Sequence, residues 1–230
     1  MNSPRDVGVL IAAAGKGVRV GGGEPKQFRA IAGIPMLERA ILPFSVHPRV
    51  HQVVVALPGS NVASPPEWLN AIARPGLVLV TGGETRAHSV KAALDALDTQ
   101  CSIVLVHDAA RPFVSAETIE AVISVAARSG ALPAVPVSDT IKRGDENSRL
   151  VLETIDRRSL WRAQTPQGCP REMLERAYEA VGQERVAEFT DESALLEAAG
   201  FPVELVPDSA GNFKVTTEDD FAIAEALLRR

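Results

Sequence analysis

Short runs of β-branched and other apolar residues alternate along the chain with stretches whose apolar positions recur every three or four residues. The runs predict strands over 8–13, 52–57, 77–80, 102–106, 131–137 and 203–206. The helical spacing predicts helices over 36–46, 86–97, 116–127, 171–181, 192–199 and 218–228. Strands alternating with helices imply βαβ units, and so an α/β, Rossmann-like fold with a mostly parallel sheet covered by helices on both faces. The near-continuous apolar run "SIVLVHDA" (102–109) fits a strand buried on both sides. Ligands of such sheets bind beyond the carboxyl ends of the strands, so the residues just after strands are the candidates for chemistry.

One segment, "VSDTIKRGDENSRLVLETIDR" (137–157), has no helical period. "DTIKR" and "LVLETI" alternate in polarity on either side of the polar turn "GDENS", which reads as a β-hairpin projecting from the sheet. A lone hairpin carrying Ile141, Val151 and Ile155 is marginal in water and requires a partner surface. No repeat, low-complexity tract or linker interrupts the pattern, so a single domain over 1–230 is expected, with 137–157 as its arm.

Composition narrows the function classes. The 230 residues carry a net charge of −5, so the surface as a whole does not attract nucleic acid, and any anion site must be a local cluster of cations. The two cysteines, Cys101 and Cys169, are far apart and form neither a disulfide framework nor a zinc pattern, which points to a reducing, cytoplasmic setting. No apolar run is long enough to span a membrane. Arg5, a short apolar stretch and Ala12-Ala13-Ala14 loosely mimic a secretory leader, but the glycine-lysine segment that follows reads as working structure, and no leader is expected.

Four groups of residues carry candidate chemistry. "AAAGKGVR" (12–19) lacks the third glycine of a dinucleotide-binding turn, because Val20 occupies that place, and it lacks the Ser or Thr that completes a P-loop. What remains is a small-residue turn that a ligand can approach closely, followed by the cations Arg19 and Lys26; the alternative is an ordinary βα turn with solvated charges. "TGGETRAHSV" (81–90) places Gly82, Gly83 and Ser89 where a strand gives way to a helix, with Thr85 equally readable as a plain helix cap. "VLVHDAARPF" (104–113) ends a buried strand in Asp108, a carboxylate placed to hold Mg²⁺ or else to pair locally with Arg111. His107 alone reads as structural. "RAQTPQG", "FTDESALL" and "GNFKVTTEDD" each put polar groups before a helix; Thr190, Asp191 and Thr217 can all be caps, while Lys214 stands in an otherwise uncharged stretch.

Taken in order, "AAAGKGVR…PKQF", "GGETRAHSV", "VHDAARPF", "DTIK", "R…LWRAQTPQ", "TDESALLE" and "NFKVTTEDD" resemble the 2-C-methyl-D-erythritol 4-phosphate cytidylyltransferase family of the non-mevalonate isoprenoid pathway. The resemblance covers essentially the whole chain. It implies that Ala13, Ala14 and Gly15 let the backbone reach CTP, and that Arg19 and Lys26 hold its phosphates. It places Gly82, Glu84 and Ser89 at the cytosine, and Asp108 near Mg²⁺ and the substrate. Ala109, Arg111, Thr165, Thr190 and Lys214 fall on the substrate and phosphate side. Thr140 and Arg157 match an arm that completes the neighbouring subunit's site in a homodimer. Gly211 departs from the family's acid before the asparagine of "N-x-K", although Asp208 lies three residues earlier.

The reaction so implied joins CTP to a sugar-alcohol phosphate and releases pyrophosphate. Its nucleophile is a phosphate oxygen with a second pKa of about 6, already ionised at neutral pH, so no catalytic His or Cys is needed. Arg19, Lys26, Lys214 and Arg157 are then the catalytic cations. Transfer to another polyol phosphate such as ribitol 5-phosphate is the alternative within the same chemistry. A catalytically silent nucleotide-sugar sensor has no need of cations at the α-phosphate, and an NAD-dependent dehydrogenase is disfavoured by the missing glycine.

Overall fold

The structure, a computed structural model, describes residues 4–15, 25–182 and 184–229. Side-chain alternation along the central strands decides its layering. In β1 (Val7–Ala12), Val9 and Ile11 enter one apolar cluster and Leu10 another. β4 (Val50–Leu57) and β6 (Ile103–Asp108) divide in the same way: Val53, Val55 and Leu105 to the first cluster, Val54, Val104 and Val106 to the second. The first cluster is closed by α1 (Met36–Ser45) and α5 (Ala116–Ala126), through Leu37, Ile41, Phe44, Ile119 and Val122. The second is closed by α4 (Arg86–Asp95), α6 (Arg171–Val181) and α7 (Glu192–Ala198), through Val90, Leu94, Leu174 and Leu195. A strand buried on both faces has no polar side to show, which is why the sequence reads as continuous apolar runs.

Among the described residues, β1 pairs in parallel with both β4 and β6, and β4 pairs in parallel with β5 (Leu77–Thr81). The chain therefore builds the sheet outward from β1 in one direction and then in the other. The crevice at that reversal, beyond the carboxyl ends of β1 and β6, is the ligand position of open α/β sheets. Beyond β6 lie β11 (Gln167–Pro170), antiparallel to its neighbours, then β7 (Gly130–Pro136), flanked by β10 (Trp161–Ala163) and β12 (Val203–Pro207).

All six predicted strands and all six predicted helices are present within a few residues of the expected bounds. The periodicity missed several short elements. β11 is one, because "QGCP", which follows Pro166 and ends in Pro170, carries no β-branched residue. It fits because Gly168 has no side chain: a Cβ there would lie 2.6 Å from Leu105 Cδ2 and 2.9 Å from Ala126 Cβ. The pair β2 (Ala30–Ile31) and β3 (Ile34–Pro35) turns at Ala32-Gly33 with both φ positive, a turn usually signalled by Asn or Gly in the first place. Two short helices, α2 (Gly59–Ala63) and α3 (Glu67–Ala71), fill the connection after β4. The C-terminal α8 (Glu218–Leu228) is capped by Thr217 in a reciprocal capping box with Asp220, so the cap reading of Thr217 holds.

The expected hairpin is also present. β8 (Ile141–Gly144) and β9 (Val151–Ile155) form an antiparallel pair of their own, outside the main sheet. Leu150, Val151 and Leu152 are all more than 60% exposed on it.

His107 proves structural. Its ring is fully buried at the end of β6, with Nε2 3.0 Å from the Arg111 carbonyl and Nδ1 2.9 Å from Thr165 Oγ1. The carbonyl can only accept, so Nε2 donates; Thr165 then donates to Nδ1 while its oxygen accepts from the Asp108 amide at 3.1 Å. Burial pushes the pKa of this neutral ring down to about 4. An unfolded chain takes up the proton near pH 6.5, so between these values the unfolded state binds more protons and stability falls as pH falls, by about 1.4 kcal/mol per unit. Denaturant titrations from pH 7 to 4 should show that slope in the wild type and a shallower one in His107→Gln; equal slopes would remove the buried histidine as its source.

Candidate active site

The residues that follow β1, Ala13 to Gly15, are fixed by a backbone bond and by one side chain. The Ala13 amide donates to Ala56 O at 2.9 Å, and Gln27 Nε2 donates to Ala13 O at 2.8 Å and Gly15 O at 3.2 Å. Gln27 sits in the 3₁₀ turn Lys26–Phe28, so the same contacts bring Lys26 to this end of the sheet. The Lys26 ammonium donates to Val215 O at 2.7 Å, one residue from Lys214. Two lysines from opposite ends of the chain thus border one cavity of about 850 Å³ at the carboxyl edge of the sheet.

The turn after β5 closes against the first. A Cβ on Gly82 would stand 2.2 Å from Ala14 Cβ and 2.8 Å from Ser89 Oγ, so only glycine permits the approach. Ser89 Oγ accepts from the Gly83 amide at 3.1 Å and donates to Thr85 O at 2.9 Å, bracing the loop from within. Thr85 does cap α4, accepting from the His88 amide, so the cap reading holds, and the loop it ends also lines the cavity.

Charge is concentrated at the end of β6. Asp108 Oδ1 accepts from Arg86 Nε at 3.0 Å and Oδ2 from Lys214 Nζ at 2.7 Å. The other two nitrogens of Arg86 bind Glu192 end-on, Nη1 to Oε1 at 2.8 Å and Nη2 to Oε2 at 2.9 Å. Four groups of alternating sign therefore stand in a row, Glu192, Arg86, Asp108 and Lys214. Burial pushes the Asp108 carboxyl up, but the Arg86 guanidinium and the Lys214 ammonium outweigh it and hold the acid well below the usual carboxylate range. Burial likewise works against the charge on Arg86, and Glu192 and Asp108 more than offset it. The local Asp108–Arg111 pair entertained from the sequence is replaced: Arg111 is buried and gives Nη1 to Asn212 O at 2.7 Å and Nη2 to Ala163 O at 3.1 Å.

Of the sequence candidates, Ala13, Ala14, Gly15, Lys26, Glu84, Ser89, Asp108, Ala109 and Lys214 line the cavity. In the second turn, Gly83 and not Gly82 lines it. Thr165 and Arg111 lie buried behind the wall, and Thr190 stands beside the cap residue Asp191. Thr140 and Arg157 are at the base of the hairpin, where Arg157 Nη1 donates to Ser138 O. Arg19 lies outside the described residues. Gln27, Arg86 and Glu192 were missed, although all three stand inside quoted motifs. Arg86 did give a signal: a cation at the first position of a helix opposes the helix dipole and needs an anion nearby. Glu192, an acid in the first turn of α7, satisfies the dipole and so reads as unremarkable surface.

A small-residue turn at the reversal point of a parallel sheet, with two lysines on the same cavity, defines an α/β enzyme that handles a nucleotide or another phosphorylated ligand. The chain belongs to the 2-C-methyl-D-erythritol 4-phosphate cytidylyltransferase family, whose model (IspD) matches residues 7–230. It is 46% identical over 221 residues to the 2-C-methyl-D-erythritol 4-phosphate cytidylyltransferase of Salinibacter ruber (strain DSM 13855 / M31), covering 95% of this chain and 91% of that protein. It is 45% identical over 227 residues to the bifunctional enzyme IspD/IspF of Anaeromyxobacter dehalogenans (strain 2CP-C), covering 97% of this chain but only 57% of that longer protein. The crystal structure of 2-C-methyl-D-erythritol 4-phosphate cytidylyltransferase from Thermus thermophilus superposes with a TM-score of 0.81 at 35% identity, over 98% of this chain and all of that one. The chain is accordingly a nucleotidyltransferase of isoprenoid biosynthesis, and the methylerythritol reading stands over the ribitol alternative.

The Gly82 contact yields a direct test. Overpacking by one methyl costs about 1–3 kcal/mol, so Gly82→Ala should weaken CTP binding about tenfold or more as the two turns are forced apart. Calorimetric titration with CTP measures this, with circular dichroism as the check on folding. Wild-type affinity would mean that the approach of Ala14 to Gly82 does not shape the nucleotide end.

Proposed function

We propose that this chain transfers the cytidylyl group of CTP to the phosphate of 2-C-methyl-D-erythritol 4-phosphate at the cavity bounded by Lys26 and Lys214, working as a homodimer. The observation that supports it most is the convergence of those two lysines on residues 214–215 beside an ionised Asp108. A phosphate oxygen of the acceptor attacks the α-phosphorus; the bond to the bridging oxygen breaks and pyrophosphate leaves with the electron pair. The nucleophile is ionised at neutral pH, so the protein's task is to bring two polyanions together and to stabilise the charge that moves. Lys26, with Arg19, offsets charge building on the leaving pyrophosphate. Lys214 faces the equatorial oxygens of the α-phosphoryl group, and Arg157 takes the acceptor phosphate in a two-pronged grip. Ala13, Ala14, Gly15, Gly83 and Glu84 border the nucleotide.

The donor set fits a divalent cation in one way. Among the described residues no three His, Cys, Asp or Glu side chains are grouped to hold a metal ion, and both Asp108 oxygens already accept from cations. Mg²⁺ is commonly bound through one or two carboxylates plus substrate phosphates, so the ion suited here is one carried on the triphosphate, with Asp108 as its protein ligand. Once bound, it would neutralise charge on the phosphates.

The hairpin supports the dimer. A two-stranded sheet with Leu150, Val151 and Leu152 exposed is marginal alone, and a two-fold partner would cover it with the same contact made twice. Thr140 and Arg157 would then serve the partner's site while Lys26 serves its own. Lys26→Ala and Arg157→Ala should each lower pyrophosphate release from CTP by about 10²–10³-fold. Co-refolded in equal amounts, they should recover about a quarter of wild-type activity, because half the dimers are mixed and each mixed dimer has one intact site. No recovery, with heterodimers shown to be present, would contradict the shared site.

A further inference from the structure

Glu192 touches neither the cavity nor any residue assigned to a ligand, yet its side chain is only 5% exposed and it carries one end of the charge row. Burying an ion pair is weakly stabilising at best against apolar side chains of the same size, so stability alone gives little reason for an Arg–Glu pair here. Its geometry gives another. A guanidinium can bind a carboxylate bidentately end-on through Nη1 and Nη2, or side-on through Nε and one Nη. Glu192 occupies the end-on face completely, at 2.8 and 2.9 Å. Of the N–H groups that remain, Nε donates to Asp108 Oδ1 alone. Oδ2 stays open to Lys214, which it holds at 2.7 Å.

We infer that Glu192 is a positioning residue for cytidylyl transfer: by anchoring the fork of Arg86, it fixes the orientation in which that arginine meets Asp108 through Nε and Oδ1 alone, and so leaves Oδ2 to hold Lys214 towards the reacting phosphate. Without it, the freed fork can rotate onto Asp108 bidentately and displace the ammonium. Arg86 is also no longer neutralised, and the row gains one positive charge next to a cavity built for a polyanion. The two consequences pull in opposite directions. Nucleotide affinity is held or improved by the added charge, while turnover falls because Lys214 is misplaced.

The inference rests on the assignment of Lys214 to the reacting phosphate, and the experiment separates the two. CTP dissociation constants and kcat with 2-C-methyl-D-erythritol 4-phosphate are measured for wild type, Lys214→Ala and Glu192→Gln. For Glu192→Gln we expect kcat to fall about 10²-fold, the scale of a misplaced group of about 1 Å, with CTP affinity unchanged or tighter. A residue that merely supports the fold would lower the unfolding midpoint and leave kcat per folded molecule as it was. Arg86→Met/Glu192→Gln, which leaves neither charge unpaired, also leaves no fork to turn onto Asp108, so Lys214 keeps Oδ2 and turnover should recover towards wild type. Wild-type kcat in Glu192→Gln, or a double variant as slow as the single one, with Lys214→Ala impaired, overturns the positioning role. Wild-type kcat in Lys214→Ala overturns instead the assignment on which it rests.

Discussion

The carboxylate of Asp108, held between Arg86 and Lys214 at the end of a fully buried strand, is the interaction on which the rest of the site depends. It gathers groups from distant parts of the chain: Arg86 from the start of α4, Glu192 from the start of α7 and Lys214 from the segment before α8. Its own backbone amide is fixed by Thr165, whose hydroxyl also meets the buried ring of His107. A displaced Asp108 would disturb each of these contacts at once. Lone buried carboxylates tend to protonate; this one stays ionised because a cation donates to each of its oxygens.

Under the proposed function, that arrangement lets a site without a general base serve transfer between two phosphates. The chemistry asks for fixed positive charge around a reacting phosphorus, in a cavity that keeps the charge from spreading into water. Mobile lysines would meet that need poorly, because flexible side chains lose entropy on being ordered. Here the ammonium of Lys214 rests on a carboxylate and that of Lys26 on a backbone carbonyl, so both are partly ordered before the nucleotide arrives. The two turns that line the cavity are ordered by different means, a glutamine across Ala13 and Gly15 and a glycine against Ala14.

How much of this was legible in the sequence follows the range of each interaction. Strands and helices whose apolar faces repeat were readable, because period alone reports which side is buried. β11 was not, since its place between β6 and β7 is a matter of fit for Gly168 and not of propensity. The hairpin was readable from alternation and a polar turn. Among site residues, Asp108 and Lys214 could be singled out by position, the one at a strand end and the other alone in an uncharged stretch. Arg86 and Glu192 lie 106 residues apart, and nothing local to either shows that they meet. The Arg111–Asp108 pair failed for the opposite reason: closeness in sequence suggested a contact, while tertiary packing turned Arg111 towards the carbonyls of Ala163 and Asn212.

The site turns on the charge of Asp108, and the decisive measurement is the single-turnover rate of Asp108→Asn at saturating CTP, Mg²⁺ and 2-C-methyl-D-erythritol 4-phosphate. The amide keeps the size of the side chain and Arg86 keeps Glu192, but Lys214 loses the charge that holds it. The predicted result is a rate lower by about 10²–10³-fold in a protein that still folds cooperatively. A rate within a fewfold of wild type would contradict the claim that this carboxylate organises the site.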